Sequence, residues 1–349
     1  MSDATTTTAT TPTLLPDPRS APPLRWGVIA PGGIANKFVA AVHAHTAGSV
    51  VAVGSRDPDR AADFAGRHGI PRSYGSYEEL VADDQVEAIY VASPHSGHRE
   101  HAVLALEAGK PVLVEKALAR NSAEVEQIFA AAQAGGLFAM EAMWTRHLPH
   151  IARVREQIGA GAIGEVVTVS ADHGQALDLG AEHRLKNLDL AGGALLDLGV
   201  YPVSFVVDLL GAPTSVKAVG QLTETGVDGH VAMLLAYAGK TIGLVDATLW
   251  TKSPTTATVT GTEGSLEIDG DFYSGGRTVT LRSGSPDREV LATWHDDVTN
   301  GFEYEVAEVA RCVAAGLQQS ERMTWDSSRA VMAVMDEARR QVGVVYPGE

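Results

Sequence analysis

From residue 24 onward, short apolar runs alternate with amphipathic stretches, and this rhythm restricts the fold more than any other feature of the chain. Apolar runs at 24–30, 50–55, 88–92 and 111–115 are separated by stretches of helical spacing at 34–45, 59–68, 98–108 and 122–134. Strands joined through helices pair in parallel, because a parallel pair needs a long crossover where an antiparallel pair needs only a tight turn. Residues 24–143 are therefore expected to form a doubly wound α/β sheet with helices on both faces.

Past about residue 144 the rhythm changes. Runs at 166–173, 216–222, 231–237, 241–249, 256–260 and 279–282 follow one another with only turns between them, and Ala238-Gly239 supplies a hairpin turn. A second, largely antiparallel sheet is expected within 144–349, closed by helices near 301–315 and 326–342. The chain's 349 residues suit two domains. Residues 1–23 are rich in Thr, Ala and Pro and lack a basic start followed by an apolar core, so they are expected to be a disordered tail and not an export signal.

Composition removes several classes of function. A formal charge of −16 argues against nucleic acid and against an anionic membrane surface, both of which select basic patches. No later run is expected to be long and uncharged enough to span a bilayer. The single cysteine, Cys312, cannot form an internal disulfide, and a cytoplasmic protein is expected. There is no Tyr-x-x-x-Lys, no G-x-S-x-G elbow and no H-E-x-x-H motif. His95, His98 and His101 are spaced by threes, yet no cysteine or suitable third ligand accompanies them, and no metal is expected.

The first run leads into Gly27-Val28-Ile29-Ala30-Pro31-Gly32-Gly33-Ile34-Ala35 and then a helix. In that context a glycine-rich turn lets a pyrophosphate approach the helix N-terminus. Alanines stand at the first and last glycine positions of the G-x-G-x-x-G pattern, leaving Gly32 as the close-approach residue, with Gly33 and Ile34 opening the helix. The second run ends Gly54-Ser55-Arg56, with Arg60 one turn later, where an NAD site places an acidic side chain on the ribose 2′-hydroxyl. A guanidinium there suits a 2′-phosphate, so NADP is favoured and NAD stays possible; the bland alternative is a pair of surface charges near Asp57 and Asp59. Ser93-Pro94, ending a later strand, would lie beside the cofactor or form an ordinary turn.

The run 111–114 ends Glu115-Lys116, and Gly192-Gly193-Ala194-Leu195-Leu196-Asp197-Leu198-Gly199-Val200-Tyr201 brings a phenol. Hydride transfer to or from an alcohol carbon needs a proton acceptor or donor at the oxygen, and lysine and tyrosine, with ordinary pKa values near ~10, serve once shifted toward neutrality. A neighbouring ammonium is expected to lower the phenol. Asp197 and Tyr201 are four apart on a helix expected over 194–210, so they share a face; core packing and a helix N-terminal acid are the bland readings.

With these segments, and with Tyr74-Gly75-Ser76-Tyr77-Glu78-Glu79-Leu80, Met140-Glu141-Ala142-Met143-Trp144-Thr145-Arg146 and Gly301-Phe302-Glu303-Tyr304-Glu305, the chain resembles the Gfo/Idh/MocA oxidoreductase family. Within it the likeness is to the dihydrodiol dehydrogenase and NADP-dependent D-xylose dehydrogenase branch. The resemblance implies a Rossmann domain over 24–143, followed by an open-faced sheet over 144–349 that carries the substrate and forms a homodimer or higher homo-oligomer. It implies Tyr201 as acid/base assisted by Lys116, with His95, Trp144, His173, Asp197 and Tyr201 on the substrate. The cofactor side comprises Gly32, Gly33, Ile34, Ser55, Arg56, Arg60, Ser93, Pro94, His98, Glu115, Lys116, Trp144 and Arg146. For Trp144 and Arg146, packing at the domain junction is the competing reading. One departure is Ala117, where the family's Glu-Lys-Pro motif has proline, the residue that lowers the cost of a cis peptide. The implied activity is NADP-dependent hydride transfer to or from a cyclic sugar or polyol, at an aldopyranose C1 or a related trans-diol. The alternatives are a biosynthetic keto-sugar reductase and a non-catalytic NADP-binding regulator.

Overall fold

The computed structural model describes residues 14–177, 180 and 183–349. Its N-terminal part runs β1 (Arg25–Ile29), α1 (Gly33–His45), β2 (Ser49–Gly54), α2 (Pro58–His68), β3 (Arg72–Tyr74), α3 (Tyr77–Val81), β4 (Ala88–Val91), α4 (His95–Glu107), β5 (Val112–Glu115), α5 (Ser122–Gly135) and β6 (Ala139–Ala142). The strands pair in parallel in the order β3-β2-β1-β4-β5-β6. This is the expected doubly wound sheet. Strand order reverses between β1 and β4, so a crevice opens at their carboxyl ends, where such sheets take their ligands.

Local chemistry sets the helix boundaries. Asp57 caps α2 by accepting from the amides of Asp59 and Arg60, Pro58 supplies a preset φ, and Gly69 ends the helix at φ 64°. Asn121 and Gly136 do the same for α5. Under the sheet Phe38 stacks on Tyr90 at 3.8 Å and meets the edge of Trp26 at 5.2 Å, a fully buried aromatic group. The strands β3 and β6 escaped the apolar-run reading. Arg72-Ser73-Tyr74 is a polar edge, and β6 carries Glu141, whose carboxylate is buried because it accepts from the Leu118 amide and the Ser328 hydroxyl.

The second part comprises α6 (Pro149–Gly159), β7 (Val166–Gly174), α7 (Val200–Leu210), β8 (Ser215–Leu222), β9 (Asp228–Ala236), β10 (Ile242–Thr248), β11 (Ala257–Gly261), β12 (Gly264–Ile268), β13 (Thr278–Ser283), β14 (Val290–His295), α8 (Phe302–Ala314) and α9 (Trp325–Val342). Its sheet has the order β14-β13-β12-β11-β7-β10-β9-β8 and is antiparallel except where β10 lies parallel to β7. The helices α7 and α9 cover one face. On the other, Val219, Leu234 and Leu244 are exposed, with Leu234 directly opposite Leu244 and Lys217.

Three expectations change. Leu188–Leu210 does reach the length and apolar character of a membrane span, but every residue from Ala191 to Val207 is buried inside the fold, as befits a segment packed on all sides. The helices expected to close the second sheet join both parts: α8 packs on α1, and α9 reaches α5, with Trp325 stacked on Phe129 at 5.0 Å. Residues 14–23 of the expected tail are ordered. Leu15 and Ala21 are buried, Arg311 donates to the Asp17 carbonyl at 2.8 Å, and Arg19 donates to that of Ala44 at 3.1 Å. Residues 1–13 lie outside the described residues.

Candidate active site

At the end of β1, Ala30 takes the left-handed conformation, φ 61°, that glycine usually supplies at this turn. Gly32 then caps α1 without any side-chain hydrogen bond, so the first amides of α1, at Gly33 and Ile34, have no side-chain acceptor among the described residues. A Cβ on Gly33 would meet nothing within 4 Å, and one on Gly32 would meet only the Ala30 carbonyl at 3.9 Å, so the turn is open to a bulky anion. Ser55 and Arg56 follow β2, and Arg60 reaches back to the Pro31 carbonyl at 3.4 Å. Arg56 lies beside the phenol of Tyr77. The nearby Asp57 serves as the α2 cap, so guanidinium groups dominate the β2 end. These residues fit the pyrophosphate and adenosine end of a dinucleotide.

After β4, Ser93 and Pro94 lead into α4. His98, expected on the cofactor side, is a buried strut instead: Nε2 meets the Ser93 carbonyl at 2.8 Å and Nδ1 that of Ala117 at 2.9 Å. Spacing along the sequence could not show that both ring nitrogens face backbone carbonyls. Glu115 also turns inward. It accepts from the Tyr90 hydroxyl and, at 3.2 Å, from the Lys116 amide, and burial pushes its carboxyl up to about 6. It anchors the strand end. The Lys116–Ala117 peptide is cis.

Lys116 reaches out of the first sheet. Its ammonium donates to the Asp197 carbonyl at 2.6 Å, lies 3.4 Å from Asp197 Oδ1 and sits 4.7 Å from the centroid of the Tyr201 ring. Arg184 donates to the same Oδ1 at 3.0 Å. Burial raises the Asp197 carboxyl, but Lys116 and Arg184 outweigh it and hold the group well below the usual carboxylate range. The π-helical turn Leu195–Gly199 runs directly into α7, so Asp197 and Tyr201 come to Lys116 from one helix.

The expected lowering of Tyr201 is not found. Burial, with Glu115 adding to it, pushes the phenol well above its ordinary value, and the Lys116 ammonium faces the ring and not the hydroxyl. The Trp144 indole donates to that hydroxyl at 3.4 Å. Tyr273, which no sequence pattern marked, completes an aromatic wall by stacking on His173 at 4.3 Å and lying tilted against Tyr201 at 4.7 Å. His95 contacts the Ala191 carbonyl at 3.1 Å and that of Lys116 at 3.3 Å. Arg146 does not join the site. It is buried against Ser204 Oγ at 2.8 Å, the Ser204 carbonyl, Ser327 and Asp208, the junction role that competed with cofactor contact. Tyr273 and Arg184 escaped the sequence reading because they lie outside the regular runs. Their only signal is an aromatic and a cation in loops flanking the sheet.

An open glycine turn at a helix N-terminus, guanidinium groups at the β2 end and a Lys-Tyr-Asp cluster at the β5 end define an NAD(P)-dependent oxidoreductase. Residues 24–143 match the model of an oxidoreductase family with an NAD-binding Rossmann fold, and residues 151–267 match the GFO/IDH/MocA C-terminal domain. The chain belongs to the Gfo/Idh/MocA oxidoreductase family. It is 38% identical over 331 residues to a trans-1,2-dihydrobenzene-1,2-diol dehydrogenase of Danio rerio, covering 93% of this chain and 98% of that one. Among solved structures it resembles a 3-ketoreductase from Actinomadura kijaniata in complex with NADP and TDP-benzene (TM-score 0.81, 27% identity, 92% of this chain and 98% of that one). In fold it also resembles a levoglucosan dehydrogenase in complex with NADH and levoglucosan (TM-score 0.82, 21% identity, the same coverage). Dihydrodiol-dehydrogenase relatives and sugar-oxidoreductase neighbours together support a sugar or diol oxidoreductase.

The histidines give a measurable consequence. Burial lowers His95 to about 3 and His98 and His173 to about 4, so all three imidazoles stay neutral from pH 5 to 8, and nitrogen NMR of the labelled protein should show no titration there. Because these folded values lie below the unfolded value of about 6.5, stability should fall as pH drops from about 6.5 toward 4.

Proposed function

We propose that the protein transfers hydride between a nicotinamide dinucleotide, with NADP preferred, and a carbinol carbon of a cyclic polyol: a trans-diol or an aldopyranose at C1. The observation that carries this reading is the Lys116 ammonium held between Asp197 and the Tyr201 ring at the mouth of the crevice. The bound dinucleotide supplies the hydride acceptor or donor. Tyr201 exchanges the proton with the substrate oxygen, Lys116 stabilises negative charge developing on that oxygen, and Asp197 receives a neighbouring hydroxyl. Trp144, His173 and Tyr273 form a wall against which the apolar face of a ring can lie. The name shared by the relatives supports the trans-diol.

A second reading, reduction of a keto-sugar, draws support from the likeness to the NADP-bound 3-ketoreductase of Actinomadura kijaniata. A hydroxyl that stays protonated is set to donate to a carbonyl oxygen as hydride arrives. Screening diols and aldoses with NADP against keto-sugars with NADPH separates the two readings, and turnover of no keto-sugar would reject the reductive one.

In either direction, Lys116→Met and Tyr201→Phe should each lower kcat by about 10²–10⁴-fold while dinucleotide affinity, followed by fluorescence, changes little. Full activity in either variant would remove that residue from the mechanism. The double change Arg56→Ala with Arg60→Ala should weaken NADP binding about 10–100-fold, as loss of charge-assisted bonds to a 2′-phosphate implies, and leave NAD binding nearly unchanged. Equal loss for both dinucleotides would argue against a phosphate at these arginines.

The exposed face around Val219, Leu234 and Leu244 carries an open depression of about 480 Å³. In our reading a second copy of the chain covers this face. Sedimentation should find a homodimer or larger, and Leu234→Arg should dissociate it; a wild-type monomer at micromolar concentration would reject that arrangement.

A further inference from the structure

The helix bearing Asp197 and Tyr201 starts at an unusual junction. Gly193 has φ +119°, a region that side-chain-bearing residues avoid, and a Cβ placed there would lie 2.2 Å from Asp228 Oδ1. The turn itself is tied on several sides. The Gly192 amide donates to the Asn187 carbonyl at 3.0 Å, the Gly193 amide to that of Leu185 at 2.9 Å, and the Tyr346 hydroxyl to the Gly192 carbonyl at 3.1 Å. The entry of the helix is held from β9. Asp228 is fully buried at the start of that strand, and its Oδ2 accepts from the Leu195 amide at 2.6 Å. Arg339 of α9 and Tyr346 of the C-terminal segment are the other ionisable groups facing it.

We propose that Asp228 is a positioning residue for the reaction: by holding the Leu195 amide it fixes the axial position and rotation of the helix that presents Asp197 and Tyr201 to Lys116. Residue 193 is glycine because the carboxyl occupies the space of a side chain. This rests on the assignment of Tyr201 and Asp197 made above. Leu195 is two residues before Asp197, so a shift at the amide is passed to both side chains through a continuous run of helical turns. Displacement of reacting groups by ~1 Å can lower a rate about 100-fold. The dinucleotide turn at Gly32 lies on another sheet and should not feel it.

The test compares Asp228→Ala, Asp228→Asn and Gly193→Ala with the native protein, reading kcat and substrate KM alongside the NADP dissociation constant. Asp228→Ala should lower kcat about 10–100-fold with NADP affinity within about twofold. Asp228→Asn should recover most of the rate, since its amide oxygen can still accept from Leu195. Combined with Tyr201→Phe, Asp228→Ala should add much less loss than it causes alone, as expected for residues acting through one unit. Native kcat in Asp228→Ala, an Asn variant as slow as the Ala variant, or full additivity with Tyr201→Phe would overturn the proposal. If Asp228→Ala does not fold, Gly193→Ala must lower kcat with NADP affinity kept, and an unchanged kcat there overturns it. Full activity of Tyr201→Phe alone would defeat the assignment of Tyr201, whereas a kcat loss in Asp228→Ala would then still support positioning of Asp197.

Discussion

The contact of Lys116 with Asp197 joins the two sheets at the point where chemistry is expected. The ammonium leaves the end of β5, crosses the crevice and donates at 2.6 Å to a carbonyl on the helix that enters α7. Neither sheet alone could hold this lysine in place. A long flexible side chain loses up to about 2 kcal/mol of conformational freedom when fixed, and a charge-assisted bond inside a partly buried site offsets that. The same contact keeps Asp197 ionised between two cations and sets the Tyr201 ring under the ammonium.

Around this contact the protein separates charged groups that face the crevice from carboxyl groups that do not. Glu115 at the end of β5 and Glu141 in β6 are buried, each hydrogen-bonded to a hydroxyl and to a backbone amide, and burial raises both. Glu305 on α8 is buried with no partner for either oxygen among the described residues, and its carboxyl is pushed well above its ordinary value by burial. A neutral carboxyl avoids the large penalty of an isolated buried charge.

Much of the fold was legible because burial on both faces leaves a continuous apolar run, as in Val112-Leu113-Val114, and because caps such as Asp57 and Asn121 are local. The parallel pairing of β7 with β10 was not, since both strands read as members of an antiparallel series and only the path of the intervening chain separates them. For the site, Lys116, Asp197 and Tyr201 were found as strand-end and helix-face residues. From sequence His98 and Arg146 are expected on the ligand side, because sequence reports which groups lie near a strand end but not which way they turn. His98 meets two carbonyls, and Arg146 meets Ser204 and Asp208.

The sequence alone determined the doubly wound sheet, the open turn at Gly32, the cationic end of β2 and the presence of a lysine and a tyrosine with family spacing, because each is written in residues close together along the chain. Only the tertiary structure decided that Lys116 faces the ring of Tyr201 and not its hydroxyl, that Tyr273 and Arg184 enter the site, and that Asp228 stands behind Gly193. These contacts join residues from different strands and loops. Their distances follow from how two sheets pack across a crevice, and no local pattern encodes that.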